Sequence, residues 1–163
     1  LVLNGVSKAY AMTGWRIGYA AGPADIIKAM KKVQGQCTSN PCSVSQAASV
    51  AALNGDHAPV RAMVTEFKRR HDFLVEALNA IEHVRCLESD GTFYSFPNIQ
   101  GFVDARDDLK NDVDVANLLL EEGGVALVPG SAFGAEGYMR LSFATSMENL
   151  EQAAQRIARV FAG

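Results

Sequence analysis

The sequence predicts a mixed α/β chain in two parts, and three observations carry that expectation. Short apolar runs at residues 1–3 and 17–21, bounded by Gly, Pro and Asn, have the texture of buried strands and alternate with helical patterns. Apolar residues then recur at helical spacing from Val60 to Ile81. After Glu82 the texture changes to short strands separated by turns. Residues 1–55 therefore read as the edge of one α/β unit, residues 56–83 as a long interdomain helix, and residues 84–163 as an α+β unit with its own core.

The elements follow in order. Turn chemistry at Thr13-Gly14 separates the first two strands, and Gly22-Pro23 ends the second and opens a helix, since proline suits a first helical turn. Ile26, Ile27, Met30 and Val33 give that helix an apolar face. Asn40-Pro41 breaks the chain, and a small-residue helix over 43–53 stops at Asn54-Gly55. Val60, Met63, Val64, Phe67, His71, Leu74, Leu78 and Ile81 then mark one face of a helix of about 25 residues, roughly 37 Å long, with Asp56 as its N-cap. Residues 84–86 and 92–96 read as strands, with Asp90-Gly91 as the turn before the second. A helix over 112–122 carries Val115, Leu118 and Leu119 and stops at Gly123-Gly124. Strands are expected at 125–128 and 138–143. A capping box, Thr145-x-x-Glu148, opens the last helix, whose face is Met147, Leu150, Ala154, Ile157 and Phe161.

Composition narrows the function. With 48% hydrophobic residues and a formal net charge of −3, the chain has the apolar content to collapse and excludes disorder. The acidic balance argues against a nucleic-acid binder, and no apolar run approaches the roughly 20 residues of a membrane helix. Cys37, Cys42 and Cys86 are odd in number and lack metal-ligand spacing, which points to a reduced, cytoplasmic protein. His57, His71 and His83 form no HExxH, so no metal site is expected. The chain opens on an apolar strand-like run without Met, and is read as the C-terminal portion of a longer chain.

Three places carry candidate chemistry. Lys8 follows an apolar strand, where ligand sites of α/β sheets cluster. A desolvated lysine near another cation favours its neutral amine and can attack a carbonyl cofactor, although a lone loop lysine is more often simply solvated. If the chain reverses near Met12, Arg16 and Lys8 face one pocket, and an arginine there can grip a phosphate bidentately. Arg140 sits inside the apolar strand Met139-Arg140-Leu141-Ser142-Phe143. It either meets a ligand carboxylate with its planar fork, faces water from an edge, or pairs with an internal acid. Val128-Pro129-Gly130-Ser131-Ala132-Phe133-Gly134 is a glycine-bearing loop that matches neither a P-loop nor GxGxxG, and alone it is a turn.

These segments together resemble a known family. Asn4-Gly5-Val6-Ser7-Lys8-Ala9-Tyr10-Ala11-Met12-Thr13-Gly14-Trp15-Arg16-Ile17-Gly18-Tyr19 is similar to the cofactor-lysine segment of class I/II aminotransferases, the aspartate aminotransferase-like branch of fold-type I pyridoxal-phosphate enzymes. Thr38-Ser39-Asn40-Pro41, Gly91-Thr92-Phe93-Tyr94, the 128–134 loop and Gly137-Tyr138-Met139-Arg140-Leu141-Ser142-Phe143 follow in the family's order. The resemblance implies the C-terminal edge of the large α/β domain followed by the small α+β domain. It implies that Lys8 holds pyridoxal 5′-phosphate and shuttles the substrate proton, and that Arg16 and Ser7 contact the cofactor phosphate. It assigns the substrate α-carboxylate to Arg140 and the substrate pocket to Phe93. Ser39 and Asn40 would reach the neighbouring subunit of a homodimer.

The implied activity is transfer of an amino group between an amino acid, with aspartate favoured, and a 2-oxo acid, 2-oxoglutarate. The family's Asp at the pyridine nitrogen, its ring-stacking aromatic residue and its glycine-containing phosphate loop are not among these residues, so the isolated chain is expected to be inactive. The alternatives are a β-lyase or synthase on the same scaffold, since fold does not fix function, and a non-catalytic fragment.

Overall fold

A computed structural model describes all of residues 1–163. The chain divides into two compact units, Leu1–Met63 and Val64–Gly163, and the boundary falls within one continuous helix.

In the first unit, β1 (Val2–Gly5) and β2 (Gly18–Ala21) pair antiparallel, with Val2 opposite Ala21 and Gly5 opposite Gly18. This register centres the chain reversal on Ala11 and Met12, as the positions of Lys8 and Arg16 required. The connecting loop is built of backbone bonds and one 3-10 turn, Thr13–Trp15. The strands form as expected but are not buried: Leu1, Val2 and Leu3 are 60%, 65% and 71% exposed. An apolar run makes a strand want cover, and no residue of this unit supplies it. α1 (Ala24–Cys37) starts after Pro23, whose carbonyl accepts from the Ile27 amide at 3.0 Å, and its Ile26, Met30 and Val33 also remain exposed. α2 (Ser43–Asn54) follows the Asn40-Pro41 break and buries Ser45 and Ser49.

α3 (Ala58–Asn79) is the long amphipathic helix, 22 residues rather than about 25. The Asp56 carboxylate accepts from its first amide, Ala58, at 2.8 Å. Its later turns bury His71, Leu74 and Leu78 of the periodic face read from the sequence, together with Val75, whereas Val64 of that face is exposed.

The second unit holds the core. Leu74, Leu78, Val115, Leu119, Met139, Leu141, Phe143, Leu150 and Ile157 belong to one buried cluster, and each such side chain stabilises the fold by about 1.5–3 kcal/mol. A three-stranded antiparallel sheet runs through it in the order β3 (Tyr94–Ser95), β5 (Met139–Ser142), β4 (Val128–Pro129). The flanking helices are α4 (Gln100–Asp104), which the sequence reading did not anticipate, α5 (Asp112–Glu121) and α6 (Met147–Phe161).

The strands are shorter than their apolar runs. Thr92 adopts a left-handed φ of 71°, which ends the pairing expected over 92–96. The 84–86 strand reduces to one bridge between Arg85 and Asn98. Val125 donates its amide to the Leu119 carbonyl at the end of α5 instead of to a neighbouring strand, so pairing begins only at Val128.

Side-chain oxygens cap α5 and α6. Asn111 accepts from the Val113 and Asp114 amides at 2.9 and 3.1 Å. α6 corrects the expected capping box: Ser146, not Thr145, accepts from the Asn149 amide, at 3.2 Å. Thr145 Oγ1 accepts from Asn149 Nδ2 at 2.9 Å instead, which leaves Glu148 one position short of the reciprocal role.

Candidate active site

The predicted site residues fall into three local constructions. The first is the loop between β1 and β2. Val6 is fully buried and anchors it. The Tyr10, Ala11 and Met12 amides donate to the Val6, Lys8 and Ser7 carbonyls at 3.3, 3.1 and 3.1 Å. Those bonds wind the backbone of Ser7 and Lys8 into consecutive turns. Ser7 is half-buried and Lys8 exposed, so these residues alone do not desolvate the lysine as the sequence reading required.

Arg16 returns along the other limb. Its φ of 54° and ψ of 51° place a non-glycine residue in the left-handed region, as does the φ of 53° at Ala11. Such a conformation costs about 1–3 kcal/mol and concentrates at functional sites. Arg16 Nη1 donates to the Thr13 carbonyl at 2.9 Å, which steadies the guanidinium, and its remaining donors point to no protein acceptor. Gly5 is held by close approach: a Cβ there would lie 2.9 Å from the Ile17 carbonyl oxygen. An exposed amine, a hydroxyl and a guanidinium thus share one strained loop. Chemically, that set can attack a carbonyl and hold a phosphate dianion.

The second construction is the bend between α1 and α2. Thr38 caps α1 by donating to Gln34, and Ser39 and Asn40 are exposed. Gln46 Nε2 donates to the Pro41 carbonyl at 2.8 Å and fixes the exit into α2. Cys42 stands at the head of that helix, where the Ser45 and Val44 amides hold its thiol below the usual range.

The third is in the second unit, around Arg140. β5 buries Met139 and Leu141 and turns Arg140 and Ser142 to its other face. Tyr94 pairs with Ser142, so it lies diagonally from Arg140 on that same face, and Val128 lies directly opposite Arg140. Arg140 Cζ stands 4.5 Å from the Tyr94 ring centroid and 4.4 Å from that of Phe133. No acid pairs with it, which removes the internal ion pair from the three readings of the strand arginine. Phe93, the residue picked from the sequence, packs partly against the core, with its ring 4.4 Å from that of Tyr94.

Tyr94 and Phe133, whose rings flank Arg140, lie within the motif segments but are not among the residues that the sequence singles out. The available signal was the alternation of β5, which tells which face Arg140 takes, but not which rings cover that face.

The 128–134 loop is more than a turn. Asp112, 1% exposed, accepts from the Ser131 amide at 2.7 Å through its Oδ2. The Gly130 amide donates to the Tyr138 carbonyl at 2.7 Å, and a Cβ at Gly130 would collide with the Ala135 carbonyl oxygen. These contacts place Phe133 at the end of a 3-10 turn. A separate cavity of about 330 Å³ in this unit, lined by Leu127, Leu141, Asn149, Leu150 and Arg156 among others, contains none of the predicted site residues.

Comparison with known proteins gives a consistent picture. The family model for aminotransferases of class I and II matches residues 1–157. An aspartate/prephenate aminotransferase of Nitrosomonas europaea is 55% identical over 163 residues, covering 97% of this chain and 41% of that protein. The crystal structure of the aspartate aminotransferase from Rhizobium meliloti superposes with a TM-score of 0.92 at 48% identity, over 99% of this chain and 41% of that one. That of an aromatic aminotransferase from Pyrococcus horikoshii gives 0.90 at 38% identity. The chain spans about two fifths of the length of the relatives it matches.

Proposed function

Because the chain belongs to the class I and II aminotransferase family, we propose that its protein transfers an amino group between an amino acid and a 2-oxo acid with pyridoxal 5′-phosphate. Aspartate and 2-oxoglutarate are the proposed pair, with support from the names of the relatives. The observation that carries the reading is the strained β1–β2 loop, which sets Lys8, Ser7 and Arg16 in one short segment. That donor set fits the cofactor: an amine for its aldehyde, and a hydroxyl and a guanidinium for its phosphate. When bound, pyridoxal phosphate supplies an aldehyde that takes up amino groups and a ring that accepts electrons.

The chain's own residues do the rest. Lys8 holds the cofactor and, once released, its Nζ takes the proton from the substrate α-carbon as a general base. Ser7 and Arg16 fix the phosphate end, with Arg16 already steadied by the Thr13 carbonyl. Arg140 receives the α-carboxylate through parallel N–H donors. Phe93 lines the substrate pocket in this reading.

Residues 1–55 serve the cofactor-binding domain, 56–83 the connecting helix and 84–163 the small domain. The exposed Asn40 bend fits a homodimer in which it reaches the neighbouring subunit's substrate site. Three free cysteines fit a cytoplasmic protein.

Borohydride reduction of the cofactor-loaded complete protein, followed by peptide mapping, tests the central assignment. The modification belongs on Lys8; finding it on Lys28, Lys31 or any other lysine overturns the reading. Amino transfer from aspartate to 2-oxoglutarate with ping-pong kinetics separates a transaminase from a β-lyase or synthase.

A further inference from the structure

Arg140 is half-buried, carries five N–H donors and spends none of them on the protein. A long side chain in that condition ordinarily samples many rotamers, and a ligand must then pay for fixing it. Here two rings confine it, Tyr94 at 4.5 Å and Phe133 at 4.4 Å from its Cζ. A guanidinium attracted to aromatic rings keeps its N–H donors unspent, and a carboxylate meets those donors in the guanidinium plane. We propose that Tyr94 and Phe133 are positioning residues that hold the Arg140 fork ready for the substrate α-carboxylate, an inference that rests on the aminotransferase reading above.

Both rings are themselves fixed. Tyr94 is set by β3, paired with Ser142. Phe133 ends a 3-10 turn whose Ser131 amide is held by the buried Asp112 carboxylate, and the Phe96 ring stands 6.4 Å behind it, edge-on at 73°. Asp112 lies at the head of α5, so a carboxylate buried under one helix sets a ring that sets the arginine. Asp112 is thus a second, more remote positioning residue. None of the three needs to touch substrate.

The test is succinate binding to the complete protein by calorimetry, alongside KM and kcat for aspartate and 2-oxoglutarate. Phe133→Leu and Tyr94→Leu should each weaken succinate binding by about three- to thirtyfold. They should raise KM for every α-carboxylate substrate by a similar factor and change kcat less. Phe133→Tyr, which keeps a ring, should recover the loss. Asp112→Ala should imitate Phe133→Leu, and Asp112→Asn, which keeps an oxygen for the Ser131 amide, should recover part of it.

In an Arg140→Ala background, Phe133→Leu should have no further effect, because the rings act only through the arginine. An effect of Phe133→Leu that persists in that background, or that varies with the substrate side chain, overturns the inference by showing direct contact. Succinate binding unchanged in both ring variants overturns it too. Phe133 is half exposed, so its variants test the idea even where Asp112→Ala fails to fold. Wild-type protein that binds succinate but never transaminates defeats the functional reading alone, since the binding comparison still decides the role of the rings.

Discussion

Arg140→Lys is the substitution on which the functional reading turns. Lysine keeps the positive charge but offers a point ammonium where the guanidinium offered a planar fork. One of two charge-assisted hydrogen bonds to the carboxylate is lost, about 1.5–3 kcal/mol. Part of the hold exerted by Tyr94 and Phe133 goes with it, about 0.5–1 kcal/mol, because a compact, strongly hydrated ammonium packs less well against the two rings than a guanidinium does. The sum, about 2–4 kcal/mol, corresponds to a fall in kcat/KM of roughly 30- to 1000-fold. Stability should barely move, by less than about 1 kcal/mol, because Arg140 makes no hydrogen bond or ion pair that the fold would lose. The assay is steady-state kinetics of both half-reactions on the complete protein, with a urea titration of the same variant. A kcat/KM within about threefold of wild type refutes the carboxylate assignment. A variant that keeps its activity per folded molecule but loses several kcal/mol of stability shows that Arg140 is structural.

Phe143→Ala removes a 1% exposed ring packed against Phe67 and His71, and urea titration should show a loss of about 3–5 kcal/mol; a loss under about 1 kcal/mol would mean the core repacks freely. Glu66 accepts from Arg69 at 2.9 Å and from Arg70 at 2.8 Å, and these arginines hold its carboxyl down at about 2 from an ordinary 4.5. A lowered native value stabilises the fold above the ordinary range, and that stability is lost as pH falls towards 2. The difference in thermal midpoint between wild type and Glu66→Gln should therefore close on acidification and shrink in high salt, and parallel curves would contradict it. Burial pushes the Cys86 thiol up while backbone amides lower Cys42. A thiol reagent followed by mass spectrometry should therefore modify Cys42 well before Cys86, and the reverse order would show that Cys86 is not protected by the core.

What the sequence revealed depended on how local the determining contacts are. α3 was legible because each apolar residue from Val60 onward meets its neighbours three or four positions away. β3 was overestimated because its length depends on the left-handed Thr92 and on a partner strand some 47 positions on, neither visible in a window of residues. The last helix was found, but its cap was assigned one residue early, since Thr145 and Ser146 are chemically alike and only geometry separates them. The same holds for the site. The resemblance carried by the motif segments is what singled out Lys8, Arg16 and Arg140. Tyr94 and Phe133 were not singled out because their relation to Arg140 is created by strand pairing and by the Asp112 anchor. The apolar strands β1 and β2 show a related limit: a run of residues can demand burial without containing what would bury it.

The alternation along β5 has a consequence for how this protein can change. Met139 and Leu141 face the core while Arg140 and Ser142 face the other way, so a single point substitution alters either folding or recognition, rarely both. Positions 94 and 133 can therefore vary in how firmly they hold Arg140 while the hydrophobic interior stays intact. Length changes enjoy no such freedom. Slipping β5 by one residue against its neighbours, as an insertion or deletion within Met139–Ser142 would, swaps the two faces, buries a guanidinium and exposes Leu141 in the same stroke. This stretch should accordingly tolerate spelling changes and reject frame changes, so a library of substitutions would yield functional variants where a library of single-residue indels would yield almost none.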